Sequence, residues 1–174
     1  MTGTLVWITG LPSAGKSVFG RATQAELTVS GVASCLLDGD EVREALVPQP
    51  SYDAASRDQF YATLANLARL LAAQPLVVIV AATAHRRAYR DAARAGTGRF
   101  VEVWVDTPLE EVRRRDSKGL YAGYSAGERH GVPGEDLVYE PPLAPEVIAH
   151  GGADPDALTR VLLLLTSRAR PQVG

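Results

Sequence analysis

The chain has 174 residues, of which 46% are hydrophobic and 22% charged, and 18 basic against 20 acidic side chains leave a net charge of −2. Length and apolar content suit one globular domain over residues 1–174. The lack of a polybasic run or basic excess argues against nucleic acid as a partner. No apolar run approaches the roughly 20 residues of a spanning helix, and the N-terminus has no secretion-signal pattern; a cytoplasmic protein without a membrane partner is expected.

Short apolar runs alternate with helical patterns, which predicts parallel strands joined by crossover helices. Leu5–Thr9 reads as a buried strand, followed by a glycine-rich turn and a helix over Lys16–Val29. Ser34–Asp38 reads as a second strand, whose Cys35, the only cysteine, is expected to be buried and to form no disulfide. A short helix follows over Glu41–Leu46. The clearest helix is Ser56–Ala73, with Phe60, Leu64, Leu67, Leu70 and Leu71 at helical spacing and Ser56 as its N-cap. Leu76–Ala81 is a third strand, Arg86–Ala95 a basic helix, Phe100–Val105 a fourth strand and Leu109–Asp116 a helix begun at Pro108. Ser117–Pro145 carries five glycines and four prolines with no period and reads as one long functional loop, a lid over about 117–145. Asp154–Thr166 closes the chain as a helix, with Val161–Leu165 in the core, Asp156 near its positive end and Arg160 and Arg168 further along.

The turn after the first strand, Gly10-Leu11-Pro12-Ser13-Ala14-Gly15-Lys16-Ser17, matches G-x-x-x-x-G-K-[ST] in full. Successive backbone N–H groups in such a loop converge on phosphate oxygens, and its glycines permit close approach. Lys16 sets a cation against the outer phosphates, Ser17 offers its hydroxyl to magnesium, and the following helix adds its positive end. The preceding strand and following helix give the motif its required setting. The expected fold is therefore α/β, a P-loop NTPase or kinase with a parallel sheet and helices on both faces. ATP and Mg2+ are the expected cofactors.

The second strand ends in Asp38-Gly39-Asp40, with Arg43 one helical turn on. Ligands of parallel α/β sheets lie at the carboxyl ends of strands, so these acids belong beside the phosphate loop. Phosphoryl transfer needs a group that orients the attacking hydroxyl and accepts its proton. Asp40 suits that role, with Lys16 as its catalytic partner. The third strand lacks an acid to support magnesium. Asp38 or Asp40 is therefore expected to take that part beside Ser17, partly through water.

These residues resemble the adenylylsulfate kinases, which phosphorylate the 3′-hydroxyl of adenylylsulfate with ATP. The likeness rests on GLPSAGKS, on LDGDEVREAL, on Asp106-Thr-Pro-Leu after the fourth strand, on Arg115-Asp-Ser-Lys-Gly-Leu-Tyr121 and on Tyr139-Glu-Pro-Pro142. It implies that Arg43 and Arg57 hold the phosphosulfate of an anionic small-molecule acceptor and that Tyr52 stacks on its base. It also implies that Lys118, with Gly119 and Leu120, reaches the substrates from the lid, and that Arg115 meets the nucleotide. On the acceptor side the chain departs from the family. Phe60 stands where the family has Asn, Ala62 replaces a basic residue, Ala84-His85 replaces Ser-Pro, and Val132 replaces the phenylalanine that closes over the base. Two other readings therefore stay open: an alcohol kinase for another nucleotide-like or anionic acceptor, and a nucleotide-dependent regulatory module. His85, Arg86, Arg87 and Arg90 read as a solvated helix start, with Arg87 and Arg90 alternatively as acceptor-attracting charges, and His130 reads as solvent-facing. A homodimer is compatible with the sequence.

Overall fold

The computed structural model describes residues 3–167. Five strands form one all-parallel sheet: β1 (Thr4–Thr9), β2 (Ser34–Asp38), β3 (Val77–Ala81), β4 (Phe100–Val105) and β5 (Val147–Ala149), in the spatial order β2-β3-β1-β4-β5. β1 lies at the centre, with Val6 opposite Ile79 of β3 and Val101 of β4. All six residues of β1 are buried, which is why they read as a continuous apolar run. Strand alternation sends Val6 and Ile8 into one core and Leu5 and Trp7 into the other. The first core is completed by Phe19 and Leu27 of α1 (Lys16–Val29) and by Ala157 and Val161 of α7 (Pro155–Thr166). The second is completed by Phe60, Leu64 and Ala68 of α3 (Ala54–Ala72) and by Ala93 of α4 (Arg87–Ala95). Helices thus cover both faces, as expected. Among the described residues no helix is long and apolar enough to cross a membrane.

Several boundaries differ from the sequence reading. α2 (Gly39–Ala45) starts two residues early because the Asp38 carboxylate accepts the Asp40 N–H at 3.0 Å and caps it. α3 is capped by Asp53, whose side chain accepts the Ser56 N–H at 2.9 Å; Ser56 lies inside the first turn and is not the cap. Leu70 is exposed, as is Leu163 of α7, so the expected apolar stripes are narrower than drawn. Cys35 is half-buried on the edge strand, and burial raises its thiol pKa. Arg168 lies outside the described residues.

The segment read as an unbroken loop contains α6 (Leu120–Ser125), which follows α5 (Leu109–Arg115). The helix has only six residues, too few to show a period. It is started by Gly119 at φ 63° and by Asp116, whose carboxylate oxygens accept the Tyr121 and Ala122 N–H groups at 3.1 and 2.9 Å. β5 was also missed, being three residues long with only Val147 and Ala149 facing inward.

Candidate active site

The carboxyl ends of β1, β2 and β3 and the segment after α5 surround one cavity of about 690 Å3. Of the residues singled out in the sequence, Pro12, Ser13, Gly15, Lys16, Ser17, Asp40, Arg43, Tyr52, Arg57, Phe60, Arg115, Lys118, Leu120 and Val132 line it. Gly10, Leu11, Ala14, Asp38 and Gly119 do not face it. Gly10 has the Val105 carbonyl where a Cβ would sit, Ala14 is fully buried, and Asp38 is spent on the α2 cap in a buried position.

At the donor end, the loop is shaped by contacts from distant parts of the chain. Gly15 sits at φ 106°, a conformation that favours glycine, and an added Cβ would stand 2.6 Å from the Gly152 nitrogen. Thr107 donates its hydroxyl to the Ala14 carbonyl at 2.9 Å, and Tyr121 donates its own to Pro12 at 3.1 Å. The Lys16 ammonium donates to the Leu11 carbonyl at 2.7 Å. Burial, with repulsion from Lys118, lowers its pKa to about 7 against the attraction of Asp40 and Asp38. Arg115 pairs with Glu111 and reaches toward the Ala14 carbonyl at 3.4 Å.

At the other end the charged groups engage one another. Lys118 forms an ion pair with Asp40, both half-exposed. Arg57 donates to the Gly131 carbonyl at 2.7 Å, tying α3 to the loop that carries Val132. Arg43 is 4% exposed and donates through Nη1 to the carbonyls of Ser51 and Pro50, at 2.8 and 3.2 Å. Its guanidinium carbon lies 3.9 Å from the Phe60 ring centre and 4.5 Å from that of Tyr52. Val132 is buried in the core beneath the cavity.

Two readings of the basic segment after β3 need correction. His85 is buried and lines the cavity; burial, with Arg57 and Arg86 nearby, lowers its pKa to about 4. Arg90 neither faces solvent nor lines the cavity. It is 1% exposed, pairs with Glu102 at 2.8 Å and donates to the Ala84 and Glu140 carbonyls. This holds the end of β3 to the Tyr139-Glu140 segment. His130 is exposed beside Asp136, as read.

Sequence reasoning missed Thr107, the Tyr121 hydroxyl and Gly152. The threonine after Asp106 at the end of β4 and the Gly151-Gly152 doublet were the available signals. Neither carries a charge, and their partners lie far along the chain.

The model of the adenylylsulphate kinase family matches residues 2–150. The chain belongs to that family. An adenylyl-sulfate kinase of Citrobacter koseri is 41% identical over 151 residues, covering 86% of this chain and 75% of its own. One from Aeromonas hydrophila is 38% identical over 168 residues, covering 95% and 85%. The APS kinase CysC of Mycobacterium tuberculosis, solved in complex with AMPPNP and APS, superposes with a TM-score of 0.85 at 35% identity, covering 94% of this chain and 98% of that one. The family is one of ATP-dependent kinases that phosphorylate a hydroxyl, so the chain is a transferase and the regulatory-module reading falls away.

Proposed function

We propose that this protein transfers the γ-phosphoryl group of ATP to the 3′-hydroxyl of adenylylsulfate, with residues 1–174 acting as one kinase domain. The observation that carries this reading is the joining of phosphate loop, Asp40 and Arg43 in a single cavity within an adenylylsulfate kinase fold. A nucleotide's phosphates would lie on the backbone of Gly10–Ser17, with Lys16 against the outer phosphates and Arg115 beside them. Among the described residues no group of three His, Cys, Asp or Glu side chains could hold a metal. Magnesium enters on phosphates and keeps several waters, so the Ser17 hydroxyl lining the cavity suits it. Ser17 would hold it, with the Asp40 carboxylate, which lines the cavity, acting through water while Asp38 stays on the α2 cap; when bound, it would neutralise charge on the phosphates.

Asp40 would orient the acceptor hydroxyl and take its proton as the phosphoryl group transfers in line. Arg43 and Arg57 would hold the phosphosulfate, Tyr52 would stack on the base, and Lys118 would turn from Asp40 toward the phosphates. Closure of the lid, about residues 117–145, with Gly119 and Leu120 near its start, would exclude water that otherwise hydrolyses ATP. Phe60 and Val132 favour a second reading of the acceptor alone: another anionic nucleotide bearing a free hydroxyl. A coupled assay of ADP release with adenylylsulfate and with related nucleotides decides between them. Turnover of adenylylsulfate with formation of its 3′-phosphorylated product is the expected result. Turnover confined to another nucleotide would reject the substrate while keeping the kinase.

A further inference from the structure

The Arg43 side chain is held in a way its motif does not announce. The guanidinium carbon lies over two rings, 3.9 Å from the centre of Phe60 and 4.5 Å from the centre of Tyr52. One nitrogen, Nη1, is anchored on the Pro50 and Ser51 carbonyls. Nε and Nη2 have no partner among the described residues, although the side chain is 4% exposed and lines the cavity. That free edge is the part of a guanidinium that grips two oxygens of one anion. Phe60 is itself buried, packed edge-on to Tyr61 with ring centres 5.3 Å apart, which restricts its movement.

We infer that Phe60 is a positioning and specificity-determining residue: with Tyr52 it clamps Arg43 so that the Nε–Nη2 edge meets two oxygens of the acceptor's oxyanion. The inference rests on the anionic acceptor proposed above. A polar side chain at position 60 could hydrogen-bond an acceptor base; the Phe60 ring cannot, and its contact with the guanidinium bears instead on the aim of the arginine. Cation–π attraction strengthens when water is excluded, as it is around this side chain. Acceptor choice in this chain therefore depends on the anion more than on the base.

Isothermal titration of the full chain, with ADP and magnesium filling the donor site, tests this with adenylylsulfate and adenosine as probes. Phe60→Leu keeps bulk and removes the ring face, whereas Phe60→Tyr keeps the face. The expected result is about tenfold weaker adenylylsulfate binding in Phe60→Leu. Adenosine should stay within about twofold, and Phe60→Tyr should stay near wild type. Equal loss for both probes would assign Phe60 to the base, and no loss for either would make it plain core packing; each overturns the inference. Should Phe60→Leu fail to fold, Phe60→Met goes through the same titrations. If wild type does not phosphorylate adenylylsulfate, the proposed substrate fails, and inorganic sulfate replaces it as the anionic probe. The same selective loss of sulfate in Phe60→Leu would then support the clamp, and a wild type that binds neither anion would overturn it.

Discussion

The two ends of the cavity are built on opposite plans. The donor end is mostly backbone: a loop whose carbonyls are held by Thr107, Tyr121 and Lys16 and whose Gly15 is pressed against Gly152. The acceptor end is mostly side chain, and most of its charge is already engaged, Lys118 with Asp40 and Arg57 with the Gly131 carbonyl. A backbone cradle needs little rearrangement to receive phosphate. The acceptor end has to exchange an ion pair and a hydrogen bond for contacts to its ligand, and the half-exposed Lys118–Asp40 pair is weak, about 0–1 kcal/mol for a surface pair. One end is therefore preformed and general, and the other is adjustable and selective.

The largest effect that breaks this contrast should come from Lys16→Ala. Removing a cation from the site of developing charge should lower turnover by roughly 10²-fold or more with the fold intact. Near-normal steady-state turnover would reject the role given to Lys16. Asp40→Asn keeps shape and loses the proton acceptor, so kcat should also fall by about 10²-fold while the KM for ATP changes little. A change confined to the ATP KM would move Asp40 to the donor end. Arg57→Ala removes the link to Gly131 and one anion contact together. It should raise the acceptor KM by about tenfold and increase ATP hydrolysis without acceptor, because the loop carrying Val132 is less well held. Unchanged values of both would show that Arg57 serves neither.

The smallest effect concerns protons. With its pKa lowered from 10.5 to about 7, Lys16 holds fewer protons in the folded protein than in the unfolded chain between those pH values. Without nucleotide, stability from this group should therefore rise as pH rises through that window. Nucleotide phosphates would return Lys16 to its charged form, so ATP binding near pH 8 should take up close to one proton, and near pH 6 almost none. Calorimetry in buffers of different ionisation enthalpy measures the uptake. Equal uptake at both pH values would mean that Lys16 is charged throughout.

The contrast also explains what could be read from the sequence. The phosphate loop was legible in full because its requirements are local, with glycines at fixed offsets, a lysine and a serine between a strand and a helix. Asp40 and Arg43 were legible because the end of β2 is where a parallel sheet presents ligands. The clamp on Arg43 was not legible, since it depends on Phe60, seventeen residues later on another helix. Read alone, Phe60 was a core residue at helical spacing and a missing family asparagine, and the structure gives it a partner. Arg90 failed for the opposite reason. It looked like surface charge in a basic run, and only its burial against Glu102 revealed a structural role. Short elements such as α6 and β5 are set by caps and neighbouring strands rather than by their own pattern.

The contact between Gly15 and Gly152 also bears on how the protein is made. The phosphate loop leaves the ribosome well before its outer wall, the turn after β5, which is the last of the five strands in chain order. Until that strand has docked against β4, one side of the cradle is open to water. A nascent chain that already carries Gly10–Ser17 should therefore hold nucleotide poorly until residue 152 has emerged, and nucleotide capture becomes a late event that reports completion of the sheet.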